Sequence, residues 1–163
     1  MKAATVKVIK EELNLRSKEE LIDLCLSLSK FKKESKEFLS YLLFEADDEN
    51  YFIQGIKEEI DYEYQQINFN NIFYIKKSVR KILRNTKKNI RFSKKKKTEI
   101  ELLLHFCKKL NELKSSIYNN SVLNKIFDRE ILKIKKVVSA LHPDLQFDYN
   151  IEIDTILNNN LEN

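Results

Sequence analysis

Apolar side chains return every third or fourth residue through most of this chain, the period of a helix with one face turned inward. The stripe Ile53, Ile56, Ile60, Tyr64 and Ile67 keeps that step without a break, and Asp47 and Asp48 before it are natural N-cap residues. A second stripe, Ile72, Ile75, Val79, Ile82, Leu83 and Ile90, predicts a long helix after the turn Asn68, Asn70 and Asn71. Ile100, Leu103, Leu104, Cys107 and Leu110, widened by Leu102, Phe106 and Leu113, predict a central helix over 96–117. Phe127, Ile131, Ile134, Val138 and Leu141 predict another, ended by His142 and Pro143, and a last short helix is expected over 149–157.

The first 47 residues read as three shorter helices. One spans about 5–13, and Ser17 with Glu20 forms a capping box that starts the next. That second helix carries Leu21, Ile22, Leu24, Cys25, Leu26 and Leu28, apolar over more than half its circumference, and is expected to be enclosed. The third bears Phe38, Leu39, Tyr41, Leu42, Leu43 and Phe44. The pattern therefore predicts an all-α fold of seven to eight helices, as an antiparallel helical bundle or an irregular array of helical hairpins. It is read as one domain over 1–157 followed by a frayed polar tail at 158–163. The two later hairpins match in size, as solenoid repeats do, but neither the tetratricopeptide nor the ankyrin consensus is present.

Composition supports this reading. One glycine (Gly55) and one proline (Pro143) among 163 residues leave little for hairpin turns and nothing for the glycine-rich loops that cradle phosphates. At 42% apolar residues the chain can enclose a core despite 34% charged ones. Cys25 and Cys107 are too few for a disulfide framework and fall in apolar stretches, so both are expected in the core. With no signal-peptide core and no segment of membrane-spanning length, the expected location is cytoplasmic, in a reducing compartment and away from membrane.

The runs Glu19–Cys25, Tyr41–Ala46 and Ile75–Arg84 resemble a family of small, uncharacterised, all-helical bacterial proteins. That resemblance implies the fold and brings no activity, cofactor or partner with it.

Charge changes the picture more than composition does. From Tyr64 to Thr98 there is no acidic residue, while twelve lysines and arginines stand between Lys76 and Lys97. Just upstream, Glu45, Asp47, Asp48, Glu49, Glu58, Glu59, Asp61 and Glu63 face only Lys57. Lys76, Arg80, Arg84, Lys87 and Arg91 follow helical steps and form one line of cations, with Lys88 beside it. Three of the five arginines lie in that line, and the guanidinium fork suits phosphate or carboxylate. These six residues are the candidate polyanion- or partner-binding site.

Other motifs carry less. His142-Pro143-Asp144 resembles the loop by which J-domain co-chaperones engage their heat-shock partner, and Ile134–Leu141 looks like the basic helix before that loop. Fewer than 20 residues follow, however, and the simpler reading is a helix stop with an aspartate turn. Glu101 and His105 have the spacing of two metal ligands on a helix, but Cys107 points elsewhere, and a histidine in a charged surface network is expected instead. Glu58 with Asp61, and Glu59 with Glu63, are carboxylate pairs without a histidine partner in sequence. No catalytic residue, metal site or cofactor is expected. The leading expectation is a non-enzymatic interaction module whose acidic and basic helix faces meet a protein partner or a second copy. The alternatives are nonspecific nucleic-acid binding through the basic helix over 72–92, and an enzyme with a pocket between helices.

Overall fold

The computed structural model describes residues 2–115 and 120–158. Among these residues are eight helices and no strand, in two compact units, Met1–Asp47 and Asp48–Asn163. Residues 116–119, among them the last two positions of the helix expected over 96–117, and the expected tail beyond residue 158 lie outside the described residues.

The first unit holds α1 (Val6–Leu13), α2 (Lys18–Phe31) and α3 (Lys33–Phe44). Thr5 caps α1, and the Ser17–Glu20 capping box opens α2 with both reciprocal bonds in place: Glu20 N donates to Ser17 Oγ at 3.2 Å and Ser17 N to Glu20 Oε2 at 2.8 Å. Helices α2 and α3 pack on each other. Enclosure of α2 is the expectation that fails: none of its side chains is buried, and Cys25, expected in a core, is exposed. Helical periodicity locates an apolar face but not the element that covers it.

The second unit is built around α6 (Lys96–Ser115), which packs against α4 (Glu49–Gln65), α5 (Ile72–Ser93), α7 (Ser121–Val138) and α8 (Pro143–Asn158). The reason is in its sequence. Leu102, Leu103, Phe106, Cys107 and Leu110 point in several directions around the helix, and all are wholly buried. Val79 of α5 and Leu123 and Ile134 of α7 complete this interior. Asp48, Asn71 and Asn120 cap α4, α5 and α7 by accepting from the backbone of the first turn.

Helix α8 begins six residues before the expected start. Pro143 is its first residue, where a missing N–H costs nothing and the fixed φ suits the helix. Proline here starts a helix, whereas α7 has already ended at Val138. The corner between α5 and α6 turns on Lys94 in the left-handed region, φ 58°. It is clamped by Glu49, which accepts from Lys95 Nζ at 2.6 Å and from the hydroxyls of Ser93 and Thr98. Burial opposes ionisation of Glu49, yet these donors prevail and hold its carboxyl below its ordinary value.

Candidate functional site

The basic line of α5 forms one wall of a groove, and α7 forms the other. Arg80, Leu83, Arg84, Lys87 and Arg91 face Val122, Lys125, Ile126 and Arg129 across a volume of about 640 Å³. Six of the nine described lining residues are cations, and none of the nine is acidic. Four of the chain's five arginines stand here. Leu83 and Ile126 are buried, so the groove has an apolar floor below charged walls.

Spacing explains how the walls form. Arg80, Arg84, Lys87 and Arg91 recur by four, three and four residues, and Lys125 and Arg129 by four, so each set occupies one helix face. The stripes that bury Ile75, Val79, Ile82 and Ile90 on one side, and Leu123, Phe127, Ile131 and Ile134 on the other, turn those faces outward.

Behind the groove sits Glu130, wholly buried. Lys87 Nζ and Arg129 Nε both donate to its Oε1, each at 2.8 Å. Its Oε2 is buried without a hydrogen-bond partner among the described residues. A buried carboxylate must be compensated, and here two groove cations perform that task. Lys87 and Arg129 are thus oriented from behind, while Arg80, Arg84, Arg91 and Lys125 are exposed side chains on the walls.

Of the six residues singled out in the sequence, Arg80, Arg84, Lys87 and Arg91 line the groove. Lys76 and Lys88 lie on α5, half-buried and outside its walls. Lys125 and Arg129 escaped sequence reading. Their four-residue spacing is visible, but the opposition of α7 to α5 is a tertiary fact. Of the aromatics near the basic run, Phe92 is buried, and Phe73 and Tyr74 contact each other edge to face at 5.7 Å; none of the three lines the groove.

The acidic side of α4 is largely engaged within its own unit. Besides Glu49, Asp61 Oδ1 lies 2.7 Å from His105 Nε2 and 3.4 Å from Lys109 Nζ, and Glu63 Oε1 lies 3.2 Å from Lys81 Nζ. His105 therefore belongs to a charged network, as expected. Glu101 turns away from it: its Oε2 accepts from Lys57 Nζ at 2.6 Å and its Oε1 from Tyr149 Oη at 3.2 Å, tying α4, α6 and α8 together. Burial first, and the Glu101 charge second, push the Tyr149 phenol up to about 12. Glu58 accepts from Gln54 Nε2 at 2.9 Å, and Glu63 also accepts from Asn85 Nδ2 at 3.1 Å.

Among the described residues no group of three or more His, Cys, Asp and Glu side chains could hold a metal ion, and no helix is long and apolar enough to cross a membrane. His142 stands before Pro143 and accepts from Asp144 N through Nδ1 at 3.4 Å, closing the first turn of α8. Compared with protein-family models, curated proteins and solved structures, the chain matches none.

Proposed function

We propose that this protein is a non-enzymatic binding module whose α5–α7 groove takes the phosphate backbone of a nucleic acid without reading its sequence. The observation that supports this reading is the gathering of six cations, four of them arginines, on two facing helices with no carboxylate in the walls. Arginine forks pair with phosphate oxygens, and affinity comes mainly from release of condensed counterions. Base reading is no part of the proposal, since among the described residues the walls offer neither an aromatic platform nor an amide for a base edge.

Docking of a protein partner on opposed acidic and basic helix faces is the second reading. It draws less support, because Glu49, Asp61 and Glu63 already face cations of the same unit. The exposed arginines could still meet an acidic protein surface, which competition with a nucleic acid would reveal.

Salt titration tests the first reading. With about four to six phosphates neutralised, log Kobs should fall against log salt with a slope of about −3.5 to −5.5 on duplex DNA. Arg80→Glu with Arg84→Glu should weaken binding and flatten the slope by about two. Absence of binding at low salt, or binding indifferent to both substitutions, would falsify it.

A further inference from the structure

The unit of α1, α2 and α3 has an apolar exterior. Among its described residues only one side chain, Tyr41, is buried, while thirteen large apolar side chains are exposed, from 39% at Leu13 to 83% at Val6. Three short helices with so little interior lack the burial that normally sustains a unit of this size. Such an extent of exposed apolar surface marks an interaction surface.

Two apolar features of this unit bear on what covers it. Between α1 and α2 lies a groove of about 560 Å³ with Val8, Ile9, Leu13 and Leu24 in its walls. Glu12, Arg16, Glu20 and Asp23 line it as well, with Arg16 ion-paired to Glu12 at 3.8 Å and to Glu20 at 3.5 Å. At the end of α3, Leu42, Leu43 and Phe44 are exposed, Phe44 by 78%. One chain thus carries both a groove with apolar walls and exposed apolar side chains on another helix, which an isologous pair can bring together.

Charge narrows the choice of occupant. Residues 1–47 contain nine Lys and Arg and nine Asp and Glu, so this unit is neutral. The remaining 21 basic and 16 acidic residues place the entire net charge of +5 on residues 48–163. A neutral apolar surface exerts no net pull on a polyanion or an anionic membrane and offers no net repulsion to its own copy. Thirteen exposed large apolar side chains can supply much of the roughly 800 Å² per partner that a stable interface buries.

We propose that α1–α3 is a homodimerisation unit, in which the apolar surface of one copy is covered by the same surface of a second. This proposal does not rest on the α5–α7 groove and stands or falls separately from it.

The full-length chain should sediment at twice its mass of 19.5 kDa, and the dimer should persist in high salt because its contacts are apolar. Leu28→Lys with Phe44→Lys, both at exposed positions, should leave far-UV circular dichroism unchanged and raise the dimer dissociation constant at least about a hundredfold. A test without substitution uses the exposed Cys25 of α2, since Cys107 is buried. Spin labels on Cys25 of two copies should show dipolar coupling that vanishes on dilution with unlabelled chain. A monomer at every concentration overturns the proposal, whether or not the chain then binds vesicles or its first unit is protected from hydrogen exchange. So does a dimer that salt dissolves, one indifferent to the two substitutions, or one whose Cys25 labels show no coupling.

Discussion

Glu130 is the residue on which the groove's charge depends. It holds Lys87 and Arg129 through one oxygen, so part of the positive field it stands behind is cancelled before any ligand arrives. Glu130→Gln should therefore bind duplex DNA more tightly than the natural chain, with a salt slope steeper by about one to two. Titration of both proteins by fluorescence anisotropy at several salt concentrations checks this. Glu49 has the opposite character, a carboxylate whose partners stabilise its charged form. Its folded pKa lies below the unfolded value, near 4.5, so its contribution is present above that value and is lost as pH falls below it toward the folded pKa. Denaturant unfolding from neutral to acid pH should show the natural chain losing stability in that window, while Glu49→Gln, lower at neutral pH, changes less.

At the scale of elements, α6 dominates. Phe106 is wholly buried at the centre of the second unit, and Phe106→Ala should cost about 3–5 kcal/mol. Leu132→Ala on α7, where the side chain is 68% exposed, should fall within about 0.5 kcal/mol of the natural chain. Chemical unfolding of both variants measures the contrast. Such differences explain what could be read in the sequence. The helices α4 to α7 were legible because each carries a long stripe of fixed period, and α6 announced its central place by being apolar on more than one side. The exposure of α2 was not legible, because Leu24, Leu26 and Leu28 have the same pattern whether or not a neighbour covers them. Pro143 is ambiguous for a related reason: a proline that ends one helix and one that begins the next have the same local sequence signature. Half of the candidate groove was visible as Arg80, Arg84, Lys87 and Arg91 on one helix. Its other half, Lys125 and Arg129, required knowing which two helices face each other.

Taken whole, the molecule separates its surface chemistry between its units, apolar and neutral before Asp48, cationic after it. The boundary is marked in the sequence only by Asp47 and Asp48, which look like an ordinary helix cap. The second unit has a core of its own, so a chain shortened to residues 48–163 should remain helical, unfold cooperatively and keep the salt-dependent binding ascribed to the groove. Circular dichroism and the same DNA titration would show whether it does.

The chain also allocates its one glycine against stereochemical preference. Gly55 stands inside α4, exposed, with nothing within 4 Å of where a methyl would sit, whereas the left-handed corner after α5 is occupied by Lys94. Gly55→Ala should raise stability by roughly 0.5–1 kcal/mol and Lys94→Gly by about 1 kcal/mol, both read from thermal unfolding. Neither position belongs to the cationic walls or to the neutral unit. An engineer could thus harden the scaffold at two sites and leave its two chemically distinct surfaces as evolution shaped them.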